Sequence, residues 1–178
     1  QPSPQVIRKQ VVPIQSSNLI PKVTNEKSQV HSPDGRMNLV MERTTGQGSS
    51  IYIFKVVDIQ QGTTLAIFRK TLFGDTSMQI SQNAFSPDNK YVFIEEISHS
   101  QQKYLVFNAS GEPFSDGEQY IDVVPSFMAK ETDYVLSKIT GWDSDTLLHV
   151  YTKTNDGARG LSYWFEVPSG AVIRLASF

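Results

Sequence analysis

The chain has 178 residues, with 16 Lys and Arg against 18 Asp and Glu, a net charge of −2 and a pI near 5.9. This length suits one domain, or a domain with a tail, and the balanced charge excludes the whole-chain basic field that nucleic-acid binding uses. Hydrophobic residues at 39% supply a core, the lack of cysteine excludes disulfides and thiolate chemistry, and no apolar run approaches the roughly 18 residues of a membrane span.

The first 27 residues differ from the rest. Gln1 to Pro4 reads Q-P-S-P, Pro13 and Pro21 follow, and Arg8, Lys9, Lys22 and Lys27 face only Glu26, a local +3 that leaves −5 for the remainder. Such a start reads as a linker, of the kind left after a signal peptide or anchor is removed, or after truncation. Within it, Gln5–Ile14 is a candidate edge strand, because Pro13 is tolerated only at an edge.

From about residue 28 the chain alternates short β-type runs with turn residues. The runs are Ser50–Asp58, Tyr91–Ile97, Lys103–Asn108, Thr146–Thr152 and Leu161–Val167, and this spacing argues for an all-β fold. No convincing helical period occurs; Asp75–Gln82 has room for a turn or short helical piece, with Gly74 and the Ser/Thr content weighing against a helix.

A repeat organises these runs. Ser32-Pro-Asp-Gly35 precedes the strand RMNLVME, Ser86-Pro-Asp-Asn89 precedes KYVFIEE, and Asp143-Ser-Asp-Thr146 precedes LLHVYTK; Asp34, Asp88 and Asp145 align at offsets of 54 and 57. A second strand follows in each copy, then a turn ending at Gly62, Gly111 or Gly170, then an apolar stretch: TLAIF, the weaker EPF, and AVIRL. The turn chemistry is explicit: Pro pre-sets φ, Asp hydrogen-bonds its own backbone, and Gly or Asn accepts positive φ. Four short antiparallel strands per period of this length are the mark of a propeller blade.

The x-S-P-D-G pattern followed by φ-Y-φ-φ-(D/N)-x-x-(T/S)-G resembles the TolB-type, WD-like β-propeller repeat, also found beside the catalytic domains of prolyl-oligopeptidase-type proteins. The resemblance covers roughly residues 30–176, and its third copy departs where Asp143-Ser-Asp145 replaces Ser-Pro-Asp. It implies antiparallel four-stranded blades, about 28–75, 76–130 and 131–178, and a role as a binding platform of a bacterial envelope. Three blades make a half or partial propeller, since rings normally close with four to eight. The open faces then need a cover, and pairing of two chains into a six-bladed ring is the favoured solution. A fragment of a longer propeller and a cap from the N-terminal segment are the alternatives.

No residue set proposes itself as catalytic, and no cofactor or metal is implied. His31, His99 and His149 occupy different repeat positions and lack ligand spacing. Glu95 and Glu96 point to opposite faces of a strand, so they cannot act as a facing pair, and they read as solvated charges. No G-x-S-x-G elbow occurs. Glu112–Asp122 is the longest loop within a repeat and lacks calcium-loop spacing; its Asp116, Glu118, Tyr120 and Asp122 are candidate ligand- or partner-binding residues. Trp164 joins them, because one residue of Tyr163-Trp164-Phe165 must face away from its neighbours. The sequence thus points to a non-catalytic binding or scaffold module, outside the cytoplasm, that self-associates or holds a protein partner. The alternatives are a glycan or peptide hydrolase with a site at the blade axis, built from carboxylates or histidines of different blades, and a truncated accessory domain.

Overall fold

A computed structural model describes residues 23–176, and the candidate strand Gln5–Ile14 lies outside them. The described chain folds into three four-stranded antiparallel sheets. The first holds β1 (Thr24–His31), β2 (Met37–Gly46), β3 (Ser49–Asp58) and β4 (Thr63–Phe73), paired in chain order. The second holds β5 (Ser77–Gln79), β6 (Tyr91–Ile97), β7 (Gln102–Asn108) and β8 (Ile121–Asp122), which leads directly into α1 (Val123–Met128). The third holds β9 (Val135–Trp142), β10 (Leu147–Lys153), β11 (Arg159–Glu166) and β12 (Val172–Arg174). Each sheet is a meander, as the repeat requires, and the three fit propeller blades.

The turns that start the first two copies are atomically alike. Ser32 Oγ donates to Asp34 at 2.7 Å, the Arg36 amide donates to the same Asp34 oxygen at 3.0 Å, and the Met37 amide donates to Ser32 Oγ at 2.9 Å. Ser86, Asp88, Lys90 and Tyr91 repeat the three bonds at the same lengths. Hydrogen bonds from the Arg36 amide first, then from the Asn89 and Ser32 side chains, hold the Asp34 carboxyl down at about 2. Gly35 at φ +71° and Asn89 at φ +62° hold equivalent left-handed positions.

Two cores separate the three sheets. Leu39, Tyr52, Phe54 and Val56 of the first sheet pack with Val92, Ile94, Leu105 and Phe107 of the second. Tyr91, Phe93, Tyr104 and Val106, from the other side of the second sheet, pack with Leu148, Val150, Tyr163 and Phe165 of the third. The middle blade therefore buries both faces. Bare backbone lets the blades approach: a Cβ on Gly141 would lie 2.7 Å from Asn83 Cβ.

Two local details depart from expectation. Asp75–Gln82 has turns at its two ends, as allowed, but β5 lies between them and no helical piece; the helix forms at Val123–Met128, where Asp122 caps the Val124 amide. The fourth strand of the middle blade is Ile121–Asp122 rather than the EPF stretch, because the Phe114–Glu118 turn intervenes.

Candidate functional site

Among the described residues, no blade packs on the outward faces of the first and third blades. In β3, alternate residues point to the core, so Ile51, Ile53, Lys55 and Val57 point outward, and each is half-buried. Register adds Lys27, Glu42 and Arg69 in one cross-strand row with Ile53, and Gln29, Val40 and Ala66 in the next row with Lys55. Lys55 bonds Glu42 at 2.6 Å, which leaves Lys27 and Arg69 to make this face cationic. Phe73, 73% exposed, stands at its end.

The outward face of the third blade carries Leu147, His149 and Tyr151 of β10, with Trp164 opposite His149 and Ile173 opposite Trp164. Asp143 organises it. Its Oδ2 accepts from Trp164 Nε1 at 2.6 Å and pairs with His149 Nδ1 at 2.6 Å. His149 packs on Tyr151 with ring centroids 4.6 Å apart, and Lys138 Nζ lies 5.6 Å from the Tyr151 centroid. Asp143 holds the repeat position of Ser32 and Ser86. A serine there bonds its own turn. The longer, charged side chain reaches across the sheet instead.

The other sequence-predicted binding residues do not join this cluster. Asp116 accepts from the Glu118 amide at 3.0 Å inside an exposed turn. Tyr120 packs against Phe68 and Phe107, at 5.7 and 5.4 Å between centroids, where the first and second blades meet, and stays 37% exposed. Asp122 caps α1, and burial pushes its carboxyl up. Of the turn residues, Gly62, Gly111 and Gly170 have φ of +67°, +76° and +67°, and Asp145 lies in the turn before β10. Asp143 and His149 were missed as partners of Trp164, and the signal was present: it is the departure of the third copy from Ser-Pro-Asp.

Glu95 and Glu96 are not solvated charges. They are 5% and 8% exposed, because β6 is covered on both sides. Glu96 pairs with Lys70 of β4 and bridges two blades, with Lys103 at 3.8 Å. Glu95 accepts from Gln79 at 3.0 Å, from Gln102 at 2.7 Å and from Ser81. Both carboxylates are therefore occupied. His99 and Asp75 lie 3.9 Å apart, both in solvent. Among the described residues, no cluster of three His, Asp or Glu could hold a metal, and no helix is long and apolar enough to cross a membrane.

No protein-family model matches the chain, and no curated protein does. Among solved structures, TolB from Acinetobacter baumannii is similar, with 13% identity and a TM-score of 0.41 over 88% of this chain. The match covers 33% of the TolB chain, so this chain spans about a third of that protein's length.

Proposed function

We propose that the protein is a non-catalytic, propeller-type binding or scaffold module that completes its ring by pairing with a second copy. One observation carries this reading. β3 is nearly as continuously apolar as β6, yet Ile51, Ile53 and Val57 face outward with nothing of the described chain packed over them as a core. Uncovered blade faces of that kind favour association. A two-fold pair sets the first blade of each chain against the third blade of the other, making two equal contacts and six blades in all. Charge supports that pairing over like-with-like. Lys27 and Arg69 would meet a face that carries Asp143 and Glu166 beside Lys138, whereas two first blades would oppose their own cations. Trp164 and Tyr151, rigid aromatics held by Asp143 and Lys138, suit the centre of such a contact.

Light scattering over a range of concentrations tests it. A particle of twice the 20.0 kDa chain mass is expected. A monomer at every concentration overturns the pairing. An extracytoplasmic, bacterial setting belongs to the same proposal, supported by the resemblance of the repeat; recovery of the native protein in the cytoplasmic fraction overturns that part. The hydrolase alternative needs carboxylates or histidines of different blades free to act together. The Glu96 carboxylate is already tied across blades to Lys70, and the Asp143–His149 pair lies within one blade, bound to Trp164, so neither supports it.

A further inference from the structure

The repeat brings one position of each blade together. His31, Phe85 and Trp142 each stand three residues before the aligned Asp34, Asp88 and Asp145. In the fold these three rings line one cavity of about 240 Å³, with Pro33 and Pro87 of the two Ser-Pro-Asp turns beside them. Gln82 and Asn83, just ahead of the second turn, add two amides to its wall. We propose that this cavity, to which all three blades contribute, binds one residue of a neutral saccharide.

Two of the lining side chains are fixed across a blade junction. Trp142 Nε1 of the third blade donates to the Ala84 carbonyl of the second at 3.0 Å, and Asn83 Nδ2 of the second donates back to the Thr140 carbonyl of the third at 3.3 Å. Asn83 lies there because Gly141 has no Cβ; one would come within 2.7 Å of Asn83 Cβ. Behind, the indole stacks on buried Tyr91, with ring planes 14° apart and centroids 5.9 Å apart. Both side chains are held before a ligand arrives, which lowers the ordering cost of binding. The chemistry narrows the ligand class. Among the described lining residues there is no carboxylate, lysine or arginine, and such a lining does not favour ions. The half-buried indole offers an apolar ring to the C–H face of a pyranose. The Gln82 amide and the His31 imidazole offer donors and acceptors to its hydroxyls, and Asn83 keeps Oδ1 and one N–H after its bond to Thr140. The volume falls below the roughly 300–1,000 Å³ of drug-sized sites, which suits a single sugar ring. The cavity uses neither the β3 side chains nor Trp164, so the inference goes beyond ring pairing and does not depend on it.

The chain has two tryptophans, so the full-length protein reports on the site directly. Neutral methyl hexopyranosides and N-acetylglucosamine are the probes, titrated to millimolar concentrations. Proton–nitrogen correlation NMR follows the two indole N–H signals, which Trp164→Phe assigns. At least one probe is expected to move the signals of the Trp142 indole and the Asn83 side-chain amide and to leave that of Trp164 in place. Gln82→Ala and Asn83→Ala should each weaken that binding about two- to tenfold, and Trp142→Ala should abolish it. Gln82 and Asn83 are exposed, so their variants keep the test decisive where Trp142→Ala does not fold. The inference is overturned when no probe moves the Trp142 signal, or when both amide variants bind as tightly as the unaltered chain. It is equally overturned when a neutral proline-containing peptide moves these signals and no sugar does. Light scattering of the same samples reports on ring pairing separately, so either reading can fail alone.

Discussion

The middle blade and the first blade use similar strands to different effect. β6 reads Tyr-Val-Phe-Ile-Glu-Glu, and every one of those residues is buried, because a blade packs on each side. β3 reads Ile-Tyr-Ile-Phe-Lys-Val-Val, and its burial alternates strictly, because among the described residues only one side has a blade packed on it. Apolar continuity reports that a strand is suited to two-sided burial. Whether both sides are covered depends on what stands beyond the sheet. The middle blade shows the completed condition, with even two carboxylates enclosed. In the first blade, among the described residues, only one side is packed.

Truncations on matched sides of the two strands test that difference most strongly. Phe93→Ala in β6 should cost about 3–5 kcal/mol by chemical denaturation, since its side chain is fully enclosed between blades. In β3, Phe54→Ala should cost a similar amount, whereas Ile53→Ala should cost about 1 kcal/mol or less at concentrations where the chain is monomeric. An Ile53→Ala loss that grows with protein concentration would mean that the outward side is covered by a partner.

Smaller effects probe the contact between the blades themselves. Gly111 has φ +76°, and a Cβ there would lie 2.7 Å from Leu65 Cδ2 across the first interface, so Gly111→Val should cost about 1–3 kcal/mol. Lys70→Met removes the cross-blade partner of Glu96. A loss of about 1–2 kcal/mol is expected, held below the buried-pair range because Lys70 is 31% exposed. Restoring neutrality with Glu96→Gln should recover part of it.

The weakest probes are titrations. Burial pushes the Tyr104 hydroxyl from 10.0 up to about 12, and burial together with the Glu131 hydrogen bond does the same for Tyr163. The unfolded phenols ionise first, so the stability these groups contribute is present below pH 10 and is lost between pH 10 and 12. An absorbance titration in which all tyrosines ionise together near 10 would contradict the enclosed second interface. Asp34, held down at about 2, works in the opposite direction: its contribution is present above pH 4 and fades as pH falls toward 2. Asp34→Asn should remove that acid dependence, with a small effect because the turn is exposed.

Much of the architecture could be read in advance because turns and strands are local. The Ser-Pro-Asp clamps, the left-handed Gly35 and Asn89, and the runs that became β3, β6, β7, β10 and β11 depend on residues a few positions apart. Contacts between distant residues were not legible. The partners of Glu96 and Tyr120 come from β4, about 26 and 52 residues earlier in the chain. The helix at Val123–Met128 is too short to leave a helical period, and its cap, Asp122, looks like any loop carboxylate.

By itself, then, the sequence determined the repeat, the turn chemistry, the all-β class and the number of blade units, since these follow from backbone preferences and side-chain alternation. Only the tertiary structure decided which side of each blade is covered. It enclosed Glu95 and Glu96, set Tyr120 against Phe68 and Phe107, and joined Asp143, His149 and Trp164 on the outward face of the third blade. The physical reason is that burial belongs to a pair of surfaces: a strand can specify one of them, and the neighbouring blade must supply the other.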